Sequence, residues 1–104
     1  MSKSNEFAKY VLLTVAHETD IPCETILSKC RQAEVVDARH IVVMLLYKSG
    51  MYVSRIADTM KITPRYVQYI ITDFEDRMKC NRPLRNKYEI IANKLRNNLE
   101  ITTL

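Results

Sequence analysis

A single glycine in 104 residues, Gly50, leaves this chain few ways to turn tightly on itself. Hairpins and tight turns draw on glycine for backbone at positive φ. Sandwiches and barrels assembled from many short strands therefore carry more of it. The three prolines, Pro22, Pro64 and Pro83, stand far apart and act as boundaries between segments. With 47% apolar residues the chain has the material for a core. The length fits one domain spanning residues 1–104. The expected architecture is all-α, a compact bundle of about six helices joined by short connections.

Apolar spacing places those helices. A first helix is expected from Asn5 to Glu18, with Ser4 as its cap and Phe7, Val11 and Val15 on its core stripe. Pro22 opens a second from Cys23 to Cys30, with Ile26 and Leu27 facing inward. A third runs from Val35 to Ser49. Its apolar positions, Ala38 and Ile41 to Leu46, cover nearly the whole circumference, the pattern of a helix surrounded by others. Gly50 caps its carboxyl end. A fourth runs from Ser54 to Met60 and a fifth from Pro64 to Lys79. The sixth, from Pro83 to Leu99, buries Leu84, Tyr88, Ile91, Leu95 and Leu99. The last four or five residues are expected to fray.

The segment SRIADTMKITPRYVQYII, residues 54–71, has the layout of a helix-turn-helix, with the whole motif spanning 54–79. Ala57 is the small residue that a steep helix crossing requires. Ile56, Met60 and Ile62 fill the angle, and Val67 and Ile70 anchor the second helix. Thr63 is placed to cap that helix and Pro64 to occupy its first turn. The turn calls for glycine and has Lys61, which can adopt the left-handed conformation at a cost of roughly 1–2 kcal/mol. With Val67, Ile70, Ile71 and Phe74 turned inward, Arg65, Tyr66, Gln68, Tyr69 and Thr72 are left to face outward. Arginine and glutamine can bond base edges bidentately, and tyrosine and threonine reach phosphates or thymine methyls. Lys61 and Thr63 fall beside the expected path of the sugar–phosphate backbone. The acidic residues Asp73, Glu75 and Asp76 confine such contact to the first two turns of the helix.

The net charge of +4 has a lopsided origin. Residues 1–60 hold seven Lys/Arg against seven Asp/Glu, whereas residues 61–104 hold nine against five. The excess begins where the reading helix is placed, which favours a polyanionic partner. Cys23, Cys30 and Cys80 are odd in number, lack a C-x-x-C pair and are expected to be reduced thiols. His17 and His40 do not complete a metal-ligand spacing, so neither metal nor other cofactor is expected. No nucleophile motif accompanies either histidine, and no enzymatic activity is expected. No targeting segment is evident, and the longest apolar run, from Ile41 to Tyr47, is too short to span a bilayer.

Beyond these local signals, the stretch from Thr14 to about Leu95 resembles the carboxyl-terminal DNA-binding domain of the bacterial replication initiator DnaA, in the Trp-repressor-like group of helix-turn-helix folds. The likeness is carried by Val15-Ala16, Ile26-Leu27, Ser28-Lys29, Arg31 and Ala38-Arg39-His40, followed by the helix-turn-helix and a long last helix. It implies that Lys29 and Arg31 sit in a basic loop that meets the DNA backbone. It further implies that Arg39, opening the central helix, is another phosphate contact and that the fifth helix enters the major groove. Two places depart from the family pattern. Ala33 stands where the family has an arginine for the minor groove, with Glu34 and Asp37 adding negative charge nearby. Thr63-Pro64-Arg65 replaces an Asp-His-Thr triplet. The initiator's nucleotide-binding module is not expected, because a phosphate-cradling loop needs several glycines.

The expected function is therefore binding of double-stranded DNA in replication initiation or transcription control, as a monomer, in the cytoplasm and on the nucleoid. Other replication or regulatory proteins are candidate partners, and no membrane or nucleotide is. The expected contact residues are Lys29, Arg31, Arg39, Lys61, Thr63, Arg65, Tyr66, Gln68 and Tyr69. The alternative is a protein-interaction adaptor that keeps the fold and has lost DNA binding.

Overall fold

The computed structural model describes the backbone of residues 3–103 and the side chains of residues 5–97. Six helices follow one another: α1 (Lys3–Thr19), α2 (Cys23–Ile26), α3 (Ala33–Lys48), α4 (Val53–Met60), α5 (Pro64–Cys80) and α6 (Arg82–Thr103). No strand occurs among the described residues, as the glycine shortage predicts. No described helix is long and apolar enough to cross a membrane.

The bundle is organised around α3. Every residue from Ala38 through Leu46 is buried, and α1, α2, α4 and α5 all pack on this helix. A side chain here meets a neighbour whichever way it points, which is why the sequence is apolar on every side. Against it α1 sets Ala8, Val11 and Val15, with Phe7 packed at the margin. Leu84, Ile91 and Leu95 bring α6 into the same cluster, with Tyr88 edge-on to Phe74 at 5.8 Å between ring centroids. An ion pair of 2.7 Å between Lys94 and Glu18 joins α6 to α1. The backbone of α6 continues past the expected end near Leu99. It is helical to Thr103, through most of the residues expected to fray, while the Leu99 and Ser4 side chains and residue 104 lie outside the described residues.

Helix ends follow from local chemistry. Gly50 has φ +98°. Its N–H donates to the Tyr47 carbonyl at 3.0 Å, and the Met51 N–H donates to Leu46 at 3.1 Å. These two bonds close the end of α3 as expected of a glycine just past the last turn. The end of α1 uses the same device without glycine. Asp20 takes φ 59°, and the Ile21 N–H donates to Ala16 at 3.2 Å. Aspartate is among the few residues that tolerate this conformation.

One element differs from expectation. Helix α2 stops at Ile26 instead of continuing to Cys30. The Ser28 hydroxyl donates to the Thr25 carbonyl at 2.6 Å and accepts from the Cys30 N–H at 3.1 Å. Serine competes in this way with helical bonding of its own backbone. Helix α3 starts at Ala33, two residues before the expected Val35, and residues 27–32 form the connecting loop.

Candidate nucleic-acid interface

Helices α4 and α5, with the three-residue turn 61–63 between them, form a helix-turn-helix. Ala57, Ile56 and Met60 are buried at the crossing, opposite Val67 and Ile70, and Ile62 packs at the edge of the same cluster. Lys61 adopts φ 60° and ψ 42°, the left-handed conformation the turn demands. The Ile62 N–H then reaches back to the Ala57 carbonyl at 3.0 Å. Thr63 is extended, and its Oγ1 accepts from the Tyr66 N–H at 3.1 Å. Pro64 occupies the first turn, where no backbone donor is needed.

Lysine at the left-handed position has a measurable cost. Lys61→Gly is expected to raise stability by about 1 kcal/mol, the relief of that strain less the extra freedom glycine gives the unfolded chain. A shift of the urea midpoint to higher concentration checks this. A shift to lower concentration would mean the lysine stem contributes packing that outweighs the strain.

The outward face of α5 is largely as the spacing predicts. Arg65, Gln68 and Thr72 are exposed, and Tyr69 is 58% exposed. Tyr66 differs. It is half-buried against the core, edge-on to His40 at 6.4 Å and stacked on Tyr69 at 6.3 Å with 18° between the rings. Only part of Tyr66 therefore reaches solvent, and its ring supports Tyr69.

A second set of expected contacts lies on the loop before α3. Lys29 and Arg31 are exposed there. Arg39 is not, and the expectation of a solvent-facing phosphate contact is corrected. Its side chain lies on the buried surface of α3, only 5% exposed. Its Nε–H donates to the Ile26 carbonyl at 2.9 Å, and its Nη2 donates to the carbonyls of Ser28 at 2.6 Å and Cys30 at 3.0 Å. Burying a guanidinium is tolerated only when its donors are paired, and these carbonyls pair the Nε–H and Nη2 donors.

The loop and the helix-turn-helix meet at an open groove of about 450 Å³. Ser28, Lys29 and Arg31 line it from the loop, Val36 and Arg39 from α3, and Ile62 and Tyr66 from the turn and α5. The folding of the chain thus brings Lys29 and Arg31 to the same groove as the first turn of α5. Among the described residues none of Lys29, Arg31, Lys61 and Arg65 has a carboxylate within ion-pair distance. Several acidic groups, by contrast, are partnered. Asp37 pairs with Arg77 at 2.7 Å, Glu75 with Lys48 at 3.8 Å and Asp76 with Lys79 at 3.9 Å. The two exposed pairs, Glu75–Lys48 and Asp76–Lys79, add little stability, and the Asp37–Arg77 pair is half-buried; each cancels a charge that would repel phosphate. Glu34 remains exposed without a salt bridge in the first turn of α3, where the helix dipole favours an anion.

Beneath this surface lies His40, 3% exposed, with neither Nδ1 nor Nε2 hydrogen-bonded. Tyr66 and Phe74 present their rings to it edge-on. Burial, followed by the nearby Arg77 charge, pushes its pKa down to about 4, so it is neutral near pH 7. Such a residue serves packing under α5. Among the described residues no cluster of three metal-ligating side chains exists, and the three cysteines are free.

Sequence reasoning missed the part that Val36, Ile62 and Ser28 take in the groove, and it misplaced Arg39. A signal was present for Arg39. A charged residue between Ala38 and His40, in a helix apolar on every side, has nowhere to go but inward and must find acceptors there. The fold defines the chain as an all-helical protein carrying a helix-turn-helix. Compared with protein-family models and with characterised proteins, the sequence matches none.

Proposed function

We propose that this chain binds double-stranded DNA, with the first two turns of α5 in the major groove and the loop at 29–31 on the adjacent backbone. The observation that carries the reading is one groove lined by Lys29 and Arg31 from the loop and by Ile62 and Tyr66, the chain neighbours of Lys61 and Arg65; none of these four cations is ion-paired among the described residues. Lys29, Arg31 and Lys61 neutralise phosphates, Thr63 and the amino end of α5 lie beside one, and Arg65, Gln68 and Tyr69 address base edges. Tyr66 acts chiefly by supporting Tyr69. The resemblance to the replication-initiator domain supports a role in replication initiation or transcription control, with the monomer as the binding unit.

Selection of bound duplexes from a random pool at two salt concentrations tests the reading. An enriched motif is expected, and Arg65→Ala is expected to lose about 1–3 kcal/mol of discrimination at one base position within it. Retention without any motif would reduce the function to backbone binding. No retention at low salt would overturn the proposal in favour of a protein-contacting adaptor.

A further inference from the structure

We propose that Arg39 is a positioning residue that holds the α2–α3 loop in the shape that presents Lys29 and Arg31 to the groove. The inference rests on the DNA-binding reading for its consequence, though not for its geometry. Residues 27–32 read Leu-Ser-Lys-Cys-Arg-Gln and include neither glycine nor proline to dictate a turn. The loop's own side-chain bonds are the two made by Ser28. Leu27 packs at the margin of the core at one end of the loop; beyond it, what ties the loop backbone to the bundle is one guanidinium. The carbonyls of residues 26, 28 and 30 all accept from Arg39, across sequence separations of 13, 11 and 9 residues. Alternate carbonyls thus turn inward to a common donor, while Lys29 and Arg31 remain exposed.

Arginine suits this task in a way lysine does not. A planar fork addresses several acceptors in fixed directions, whereas an ammonium is a compact point charge on a flexible stem. Because α3 is buried on every side from Ala38 to Leu46, the fork stands on a closely packed stretch of the fold. The loop cations are thereby held in place before DNA arrives, and binding does not have to order them.

The test compares Arg39→Met and Arg39→Lys by far-UV circular dichroism, by exchange of the Cys30 amide hydrogen and by the salt dependence of duplex binding. Both variants are expected to exchange that amide about tenfold faster than the unsubstituted protein. Both are expected to flatten the salt slope by about two units, the share of Lys29 and Arg31. Adding Lys29→Ala and Arg31→Ala to Arg39→Met is then expected to change the slope no further. If Arg39→Met does not fold, Arg39→Lys decides, because it keeps the charge and loses the fork. A full slope retained in Arg39→Lys would overturn the proposal and make Arg39 a direct phosphate contact. So would unchanged Cys30 exchange in the folded variant. If the unsubstituted protein shows no salt-dependent duplex binding, the DNA reading fails by itself, and the exchange measurement still decides whether Arg39 orders the loop.

Discussion

Replacing Lys29, Arg31 and Lys61 together with alanine is expected to lower duplex affinity about 100-fold near 0.15 M salt and to flatten the salt dependence by about three units. Each phosphate neutralised releases counterions, so log K falls by about 0.9 per decade of salt for each contact. Extrapolated from 1 M to 0.15 M, one contact corresponds to roughly fivefold in affinity, and three multiply. The three side chains are exposed and make no ion pair among the described residues, so their removal takes nothing from the core. The melting curve should stay close to that of the unsubstituted protein while binding collapses. Fluorescence anisotropy of a labelled duplex across a salt series measures both quantities. An unchanged slope would place the phosphate contacts elsewhere, with the cations at the start of α6, Arg82, Arg85 and Lys87, next to examine.

Acidification from about pH 6.5 to about pH 4 is expected to lower folding stability by about 3 kcal/mol through His40 alone. The sign follows from proton binding. In the unfolded chain the imidazole takes up a proton below its ordinary value of 6.5, whereas in the fold it does so only near 4. Between those limits the unfolded state holds one more proton, so stability falls as pH falls, by about 1.4 kcal/mol per unit. Above 6.5 the contribution is fully present. The charged groups that act on the ring are Arg77 and Arg39, which oppose protonation, and Asp73 and Asp37, which favour it; burial outweighs them all. Urea unfolding at pH 7, 5.5 and 4.5, with His40→Leu alongside, isolates the effect from ordinary carboxylate titration. The variant should lose the steep part of the pH dependence. Equal slopes in the two proteins would show that His40 reaches water more readily than its burial implies.

Much of the fold is legible in the sequence because its causes are local. The nearly unbroken apolar run in α3 announces a helix with neighbours on all sides. Thr63-Pro64 announces the start of α5 by capping chemistry that acts within one turn. Lys61 could be assigned its left-handed backbone because only that conformation joins two helices so tightly. What escaped depends on partners far away in the chain. Asp37 meets Arg77 across 40 residues and Glu18 meets Lys94 across 76, with no periodic signal to connect either pair. The early stop of α2 belongs with these in part, since Arg39 binds the Ile26, Ser28 and Cys30 carbonyls in addition to the local bonds of Ser28. Spacing alone turns Tyr66 outward. The helical face is right, but its ring is broad enough to lean back onto the core beside His40.

Helix α5 divides its labour by side. Val67, Ile70, Ile71 and Phe74 are the holdfast, sunk in the cluster that keeps the molecule folded. The side chains of Arg65, Gln68 and Thr72 make no hydrogen bond or ion pair among the described residues and carry none of that burden. They are interchangeable parts on a rigid mount. Altering them changes what the surface can recognise without loosening what holds it, so a new binding preference can be written at these positions on an otherwise unaltered scaffold.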